Sequence, residues 1–182
     1  MGASRMQIFD DDTVELHNLP NQFFRKKDIG RSKVEALADI VKEFTDFDIK
    51  INNKRYEDEN LSGIVISAVD SMKSRQAIFD MVRTQSEVEL YIDSRMGGEV
   101  AQIFTLRPSD QLDVEEYEKT LFNDDEAEEL PCTAQAIIYT VLGIAQPIAR
   151  LVKKFLMGGL EESDKRLMVD FFNQQMVKEF VV

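Results

Sequence analysis

The sequence predicts an α/β fold with a doubly wound, mainly parallel sheet. Short strand-like runs alternate with amphipathic helices, one strand is apolar at nearly every position, and aspartates fall just after two of the strands. The apolar run at 7–9 ends in Asp10, Asp11 and Asp12, as a strand does when its carboxyl end opens into a polar loop. That loop extends to about residue 28. A helix follows Ser32, with Val34, Leu37, Ala38, Val41 and Phe44 at the three-and-four spacing of one buried face. Residues 48–52 alternate as a short strand, and 64–69, IVISAV, form the continuous apolar strand. Residues 72–83 read as a helix with Ile78, Met81 and Val82 inward. Strands at 89–93 and 99–106 flank the turn-forming Gly97 and Gly98, and 114–122 read as a short helix. An acidic surface loop at 124–129 leads to the longest helix, 133–156. That helix is apolar on most faces and closed by Gly158 and Gly159, as expected of one packed against a sheet or a subunit partner. The tail, LMVDFF then NQQ then MVKEFVV, predicts a terminal hairpin.

Composition narrows the function. The 182 residues, 43% of them hydrophobic, suffice for one domain whose core needs no disulfide or metal staple. A net charge of -12 opposes binding to a phosphate backbone, so nucleic acid is discounted as a partner. Cys132 is the only cysteine and His17 the only histidine, which excludes an internal disulfide and a zinc site built from cysteine pairs. No stretch approaches the roughly 18 apolar residues of a membrane helix, and no signal peptide is visible, so a cytoplasmic protein with no membrane partner is expected. The opening MGASR has the look of a vector remnant or an internal start.

In a parallel α/β sheet, ligands bind at the carboxyl ends of strands, where Asp10 and Asp70 fall. Taken singly, each is either a ligand group or a solvated turn residue. Their neighbours add a family resemblance. DDDTVELHNLPNQF at 10–23, GRSK at 30–33, SAVDS at 67–71, SRMGGEV at 94–100 and the long segment from Cys132 together resemble the ThiF/MoeB/HesA family, related to ubiquitin-activating enzymes. The resemblance covers nearly the whole chain. It implies a Rossmann-like fold and an ATP-dependent adenylyltransferase that activates the C-terminal carboxylate of a ubiquitin-like or sulfur-carrier protein ending in a glycine tail.

Carried over by position, the resemblance implies that Asp10 accepts the ribose hydroxyls of ATP and that Asp12 supports the same loop. Asn18, Asn21 and Gln22 would line the phosphate site, with Asn21 standing where the family has arginine. Lys33 would reach the phosphates, and Asp70 would hold Mg²⁺ and help organise adenylate formation. Replacing arginine with Asn21 removes a bidentate cation. Cys132 falls where many members carry a cysteine, and it is either reactive at a helix N-terminus or a small buried packing residue. The paired cysteines of several members are absent, YEKTLF standing at 117–122 instead, so no zinc is expected. The resemblance further implies a homodimer.

Family members begin with a strand and a Gly-x-Gly-x-x-Gly turn, whereas this sequence starts at the second strand, so the first central strand is expected to be missing. The expected organisation is a single ThiF-like domain over 1–182. Residues 1–5 would be a tag or start remnant, 6–93 a truncated nucleotide-binding half, and 94–182 a carrier-binding and dimerisation half. The alternatives are a non-catalytic partner subunit of a heterodimeric activating enzyme, favoured by Asn21 and the absent loop, a carrier-binding module, or an unrelated α/β binding module.

Overall fold

The computed structural model describes residues 5–122 and 138–178, so Cys132, the acidic run at 124–129 and the predicted start of the longest helix lie outside the described residues. The chain packs as two compact units, Met1–Glu57 and Asp58–Val182.

In the first unit, β1 (Gln7–Phe9) pairs in parallel with β2 (Lys50–Asn52), placing Ile8 opposite Ile51. Parallel neighbours cannot be joined by a tight turn, and α1 (Lys33–Phe44) lies in the crossover that joins them. The helix stops at Thr45, whose extended backbone leaves the helical region and whose hydroxyl donates to the Val41 carbonyl at 3.1 Å. Val34, Ala36 and Ile40 are buried, but Phe44, expected inward, is 75% exposed. A twelve-residue helix is about 18 Å long, while three-residue strands span about 10 Å, so the small sheet cannot cover the helix along its whole length. The loop between β1 and α1 is pinned by Asp28, which is fully buried. Arg25 donates to both of its oxygens, at 2.8 and 2.9 Å, and these hydrogen bonds hold its carboxyl below the usual range.

The second unit holds a five-stranded sheet in the order β3-β4-β5-β6-β7. Strand β3 (Gly63–Ser67) runs parallel to β4 (Val88–Gly97), with α2 (Met72–Val82) between them in the chain. Strands β5 (Val100–Leu106), β6 (Arg166–Asp170) and β7 (Gln175–Lys178) extend the sheet antiparallel and end in the predicted hairpin. The β4–β5 turn passes through Gly98 at φ 59°, in the left-handed region that glycine enters without steric cost.

Alternation along β4 and β5 sorts their side chains into two clusters. Tyr91, Phe104 and Leu106 pack with Phe79 and Val82 of α2 and with Val114 and Tyr117 of α3 (Gln111–Glu118). Leu90, Ile92, Ala101 and Ile103 pack with Ile144 and Leu151 of α4 (Ile138–Leu156) and with Leu167 and Val169 of β6. Helices therefore cover both faces of this sheet, and each large side chain fully buried between them contributes about 1.5–3 kcal/mol.

Two further helices differ from the periodicity reading. Helix α3 begins at Gln111 rather than 114 because the Asp110 carboxylate caps it, accepting the Leu112 N–H at 3.0 Å. The buried positions of α2 are Arg75, Phe79 and Val82, whereas Ile78 and Met81 are half-buried. Phe79 takes the inward position because its ring lies 4.6 Å from that of Tyr117 and 6.0 Å from that of Tyr91. Among the described residues no helix is long and apolar enough to cross a membrane.

Asp164 ties the end of α4 to the terminal hairpin. Its buried carboxylate accepts from Lys154, from Lys178 at 3.1 Å and from the Glu161 N–H at 3.0 Å. Burial alone would push its pKa up, but these donors prevail and hold it down to about 2. A carboxylate depressed in the folded state stabilises above its unfolded pKa and loses that contribution as pH falls. The expected loss is about 2 kcal/mol between roughly pH 4 and pH 2. Urea titrations across that window should show the loss in the wild type, and Asp164→Asn should flatten that part of the profile.

Candidate functional site

Strand β1 ends by delivering three carboxylates. The Asp12 N–H donates to Asp10 Oδ1 at 2.8 Å, an Asx turn that holds the backbone just beyond the strand. The start of α1 is stitched to this turn twice: the Lys33 N–H donates to the Asp12 carbonyl at 2.9 Å, and Lys33 Nζ donates to Asp12 Oδ2 at 2.6 Å. Gly30, at φ 84°, lets the returning chain make that approach, its N–H reaching the Val14 carbonyl at 2.8 Å. Asp10, Asp12 and Lys33 are thereby brought together, with the Lys33 side chain only 14% exposed. Asp11 completes a set of carboxylates whose ligand atoms lie within 4.8 Å of one another, and it also pairs with Arg55 at 3.0 Å. Clustered carboxylate oxygens suit a hard cation such as Mg²⁺.

Asn18 is buried, and its side-chain oxygen accepts the Glu15 N–H at 2.8 Å. Its carbonyl accepts from the N–H groups of Asn21 at 3.1 Å and Gln22 at 2.7 Å, so Asn18 organises the turn that carries both. The Asn21 side-chain oxygen is buried without a hydrogen-bond partner among the described residues. His17 is exposed and faces Glu15 at 3.2 Å.

Asp70 belongs to the second unit. It is exposed in the loop between β3 and α2, one residue before Ser71, whose hydroxyl accepts the Ser74 N–H at 3.2 Å and caps the helix. Beneath this loop lies a charged network that periodicity did not reveal. Arg75 donates to Asp93 Oδ1, to the Val69 carbonyl and, at 3.3 Å, to the Ser94 carbonyl. Asp93 Oδ2 accepts from Arg95 at 2.8 Å and from the Tyr117 hydroxyl at 3.0 Å. Arg95 lies 4.3 Å over the Phe104 ring and donates twice to Thr120, to its carbonyl at 2.8 Å and its hydroxyl at 2.9 Å. The Asp93 side chain is fully buried and that of Arg75 nearly so. Burial, then the neighbouring charge of Arg95, press the Arg75 guanidinium below its ordinary pKa, while Asp70 acts in the opposite sense.

A signal for this network existed in the sequence. Arg75 stands four residues before Phe79 and seven before Val82, in register with the buried stripe of its helix, while Asp93 and Arg95 share one face of β4. The strand predicted over 89–93 stops at Asp93. The structure carries β4 on to Gly97, since the Arg75 and Arg95 partners permit a carboxylate inside.

Comparison with known proteins adds a family to this geometry. The chain matches the model of the ThiF family over residues 1–181. Over 88 residues it is 32% identical to the NEDD8-activating enzyme E1 catalytic subunit of Caenorhabditis elegans, a match covering 44% of this chain and 20% of that protein. Over 112 residues it is 30% identical to the SUMO-activating enzyme subunit uba-2 of the same organism, covering 56% and 19%. The chain thus spans about a fifth of the length of these relatives. Among solved structures, E. coli MccB superposes with a TM-score of 0.69 at 16% identity, over 97% of this chain and 55% of that one. That likeness establishes the Rossmann-like α/β fold. On the match to its family model, the chain belongs to the ThiF family.

Proposed function

We propose that this chain carries the adenylyltransferase chemistry of an enzyme that activates the C-terminal carboxylate of a ubiquitin-like or sulfur-carrier protein. The observation that supports this best is the Asp10, Asp12 and Lys33 constellation, in which a strand end and a helix start are joined by an ion pair between the mostly buried Lys33 side chain and the exposed carboxylate of Asp12. The relatives are named as activating enzymes for NEDD8 and SUMO, and MccB has been solved with ATP. In this reading Asp10 binds the ribose, Asn18 and Gln22 shape the phosphate turn, and Lys33 leaves Asp12 to meet the phosphates. Asp70 would hold Mg²⁺, which would neutralise charge on the transferring phosphorus. The carrier's carboxylate, presented on a glycine tail, attacks the α-phosphorus and pyrophosphate departs. The chain's own residues align the two reactants and need supply no covalent nucleophile. Cys132 is assigned no step, and the working form is proposed to be a homodimer.

A second reading, a non-catalytic partner subunit, is favoured by Asn21. Its buried, unpartnered amide oxygen stands where the family places a cation, and an amide cannot neutralise phosphate charge. ATP–pyrophosphate exchange with Mg²⁺ and a candidate carrier separates the two readings. Lys33→Met is expected to raise the KM for ATP by about 10- to 100-fold, the worth of a charge-assisted hydrogen bond. Absence of both exchange and ATP binding in the wild type would favour the partner-subunit reading.

A further inference from the structure

The buried network meets the candidate site at one atom, the carbonyl of Val69, which accepts from Arg75. Val69 immediately precedes Asp70, so whatever fixes that carbonyl fixes the peptide plane from which Asp70 springs. Arg75 reaches it with one nitrogen of its guanidinium while the other is held by Asp93 and the Ser94 carbonyl. A planar fork can bridge partners on two elements at once, and a lysine ammonium at the same position would retain the charge without spanning both. Stability alone does not account for the arrangement, because a buried ion pair is often no more stabilising than apolar residues of the same volume. Asp93 itself is immobilised from the opposite side by Arg95 and Tyr117.

We propose that Arg75 is a positioning residue: anchored on Asp93, it holds the Val69 carbonyl and thereby fixes the backbone from which the Asp70 carboxylate projects. The inference rests on the reading of Asp70 as the Mg²⁺-holding group, and its test separates the two. Arg95 supplies the control, since it binds the other oxygen of Asp93 and runs to Thr120 rather than to Val69.

Arg75→Lys, Arg95→Lys and Asp70→Asn should be compared by urea denaturation, by amide hydrogen exchange at residues 70–75 and by Mg²⁺-dependent ATP–pyrophosphate exchange. Both arginine variants are expected to lose stability. Only Arg75→Lys should speed amide exchange across 70–75, by about tenfold. In the pyrophosphate assay only Arg75→Lys should lower kcat about tenfold and raise the Mg²⁺ concentration for half-maximal rate, with the KM for ATP unchanged. Unchanged amide protection in Arg75→Lys, or equal loosening in Arg95→Lys, would overturn the inference even if Asp70→Asn is inactive. Loosening confined to Arg75→Lys, beside a fully active Asp70→Asn, would leave the loop clamp standing and remove the reading of Asp70.

Discussion

Replacing Asp70 with alanine is expected to lower ATP–pyrophosphate exchange by about 100- to 1,000-fold, the loss typical of removing one electrostatic group aimed at developing charge. The fold should survive, because Asp70 is exposed in a loop and surface substitutions of this kind usually change stability by less than about 0.5 kcal/mol. Asp70→Asn keeps the size and shape of the side chain and removes the charge, so it should lose nearly as much activity if the carboxylate holds Mg²⁺. Raising Mg²⁺ should recover part of the rate in Asp70→Asn and little in Asp70→Ala, since an amide oxygen remains a weak hard-cation ligand. Wild-type rates in both variants would remove Asp70 from the site and leave the Asp10, Asp12 and Lys33 constellation to support an enzyme.

The largest effect on stability is expected at Asp93. Asp93→Ala leaves the guanidiniums of Arg75 and Arg95 facing one another beneath the sheet without their shared counter-charge, and should cost about 3–5 kcal/mol. Against the roughly 5–15 kcal/mol that holds a typical domain folded, such a loss brings the unit near its unfolding midpoint. The measurement is the urea midpoint, with the slope of the transition confirming that the folded and unfolded states remain comparable. Replacing Arg75 and Asp93 together by methionine and leucine should cost less than Asp93→Ala, because only the guanidinium of Arg95, which keeps its hydrogen bonds to Thr120, is then left without its carboxylate. A small loss for Asp93→Ala would mean that water reaches the network and screens it.

The order of elements was legible from residue periodicity, and for a physical reason. Short strands interleaved with amphipathic helices bury their apolar faces together only as a helix-covered sheet, and α2, α3 and α4 do cover both faces of the five-stranded sheet, although IVISAV lies on its edge strand, where Ile66 stays 47% exposed. The local part of the candidate site was legible too. The aspartates beyond β1 follow from the local pattern and their Asx turn, whereas Lys33, 21 residues from Asp12, entered only through the family resemblance and is brought there by the chain's return to α1. The inward turn of Phe79, set by its ring contacts with Tyr91 and Tyr117, and the exposure of Phe44, set by how far the small sheet extends, were not legible from periodicity.

The residue sequence by itself determined the α/β class, the parallel pairs, the terminal hairpin and the strand ends that hold the carboxylates, since each follows from local spacing and backbone chemistry. Only the tertiary structure decided that Asp93 lies fully buried between two arginines and that Arg75 grips the carbonyl beside Asp70. A charge inside a sheet is tolerable only when partners converge on it, here Arg75 from α2 and Tyr117 from α3 beside Arg95 of β4 itself. That convergence joins positions 18 residues apart in the chain, beyond the reach of any helical or strand period.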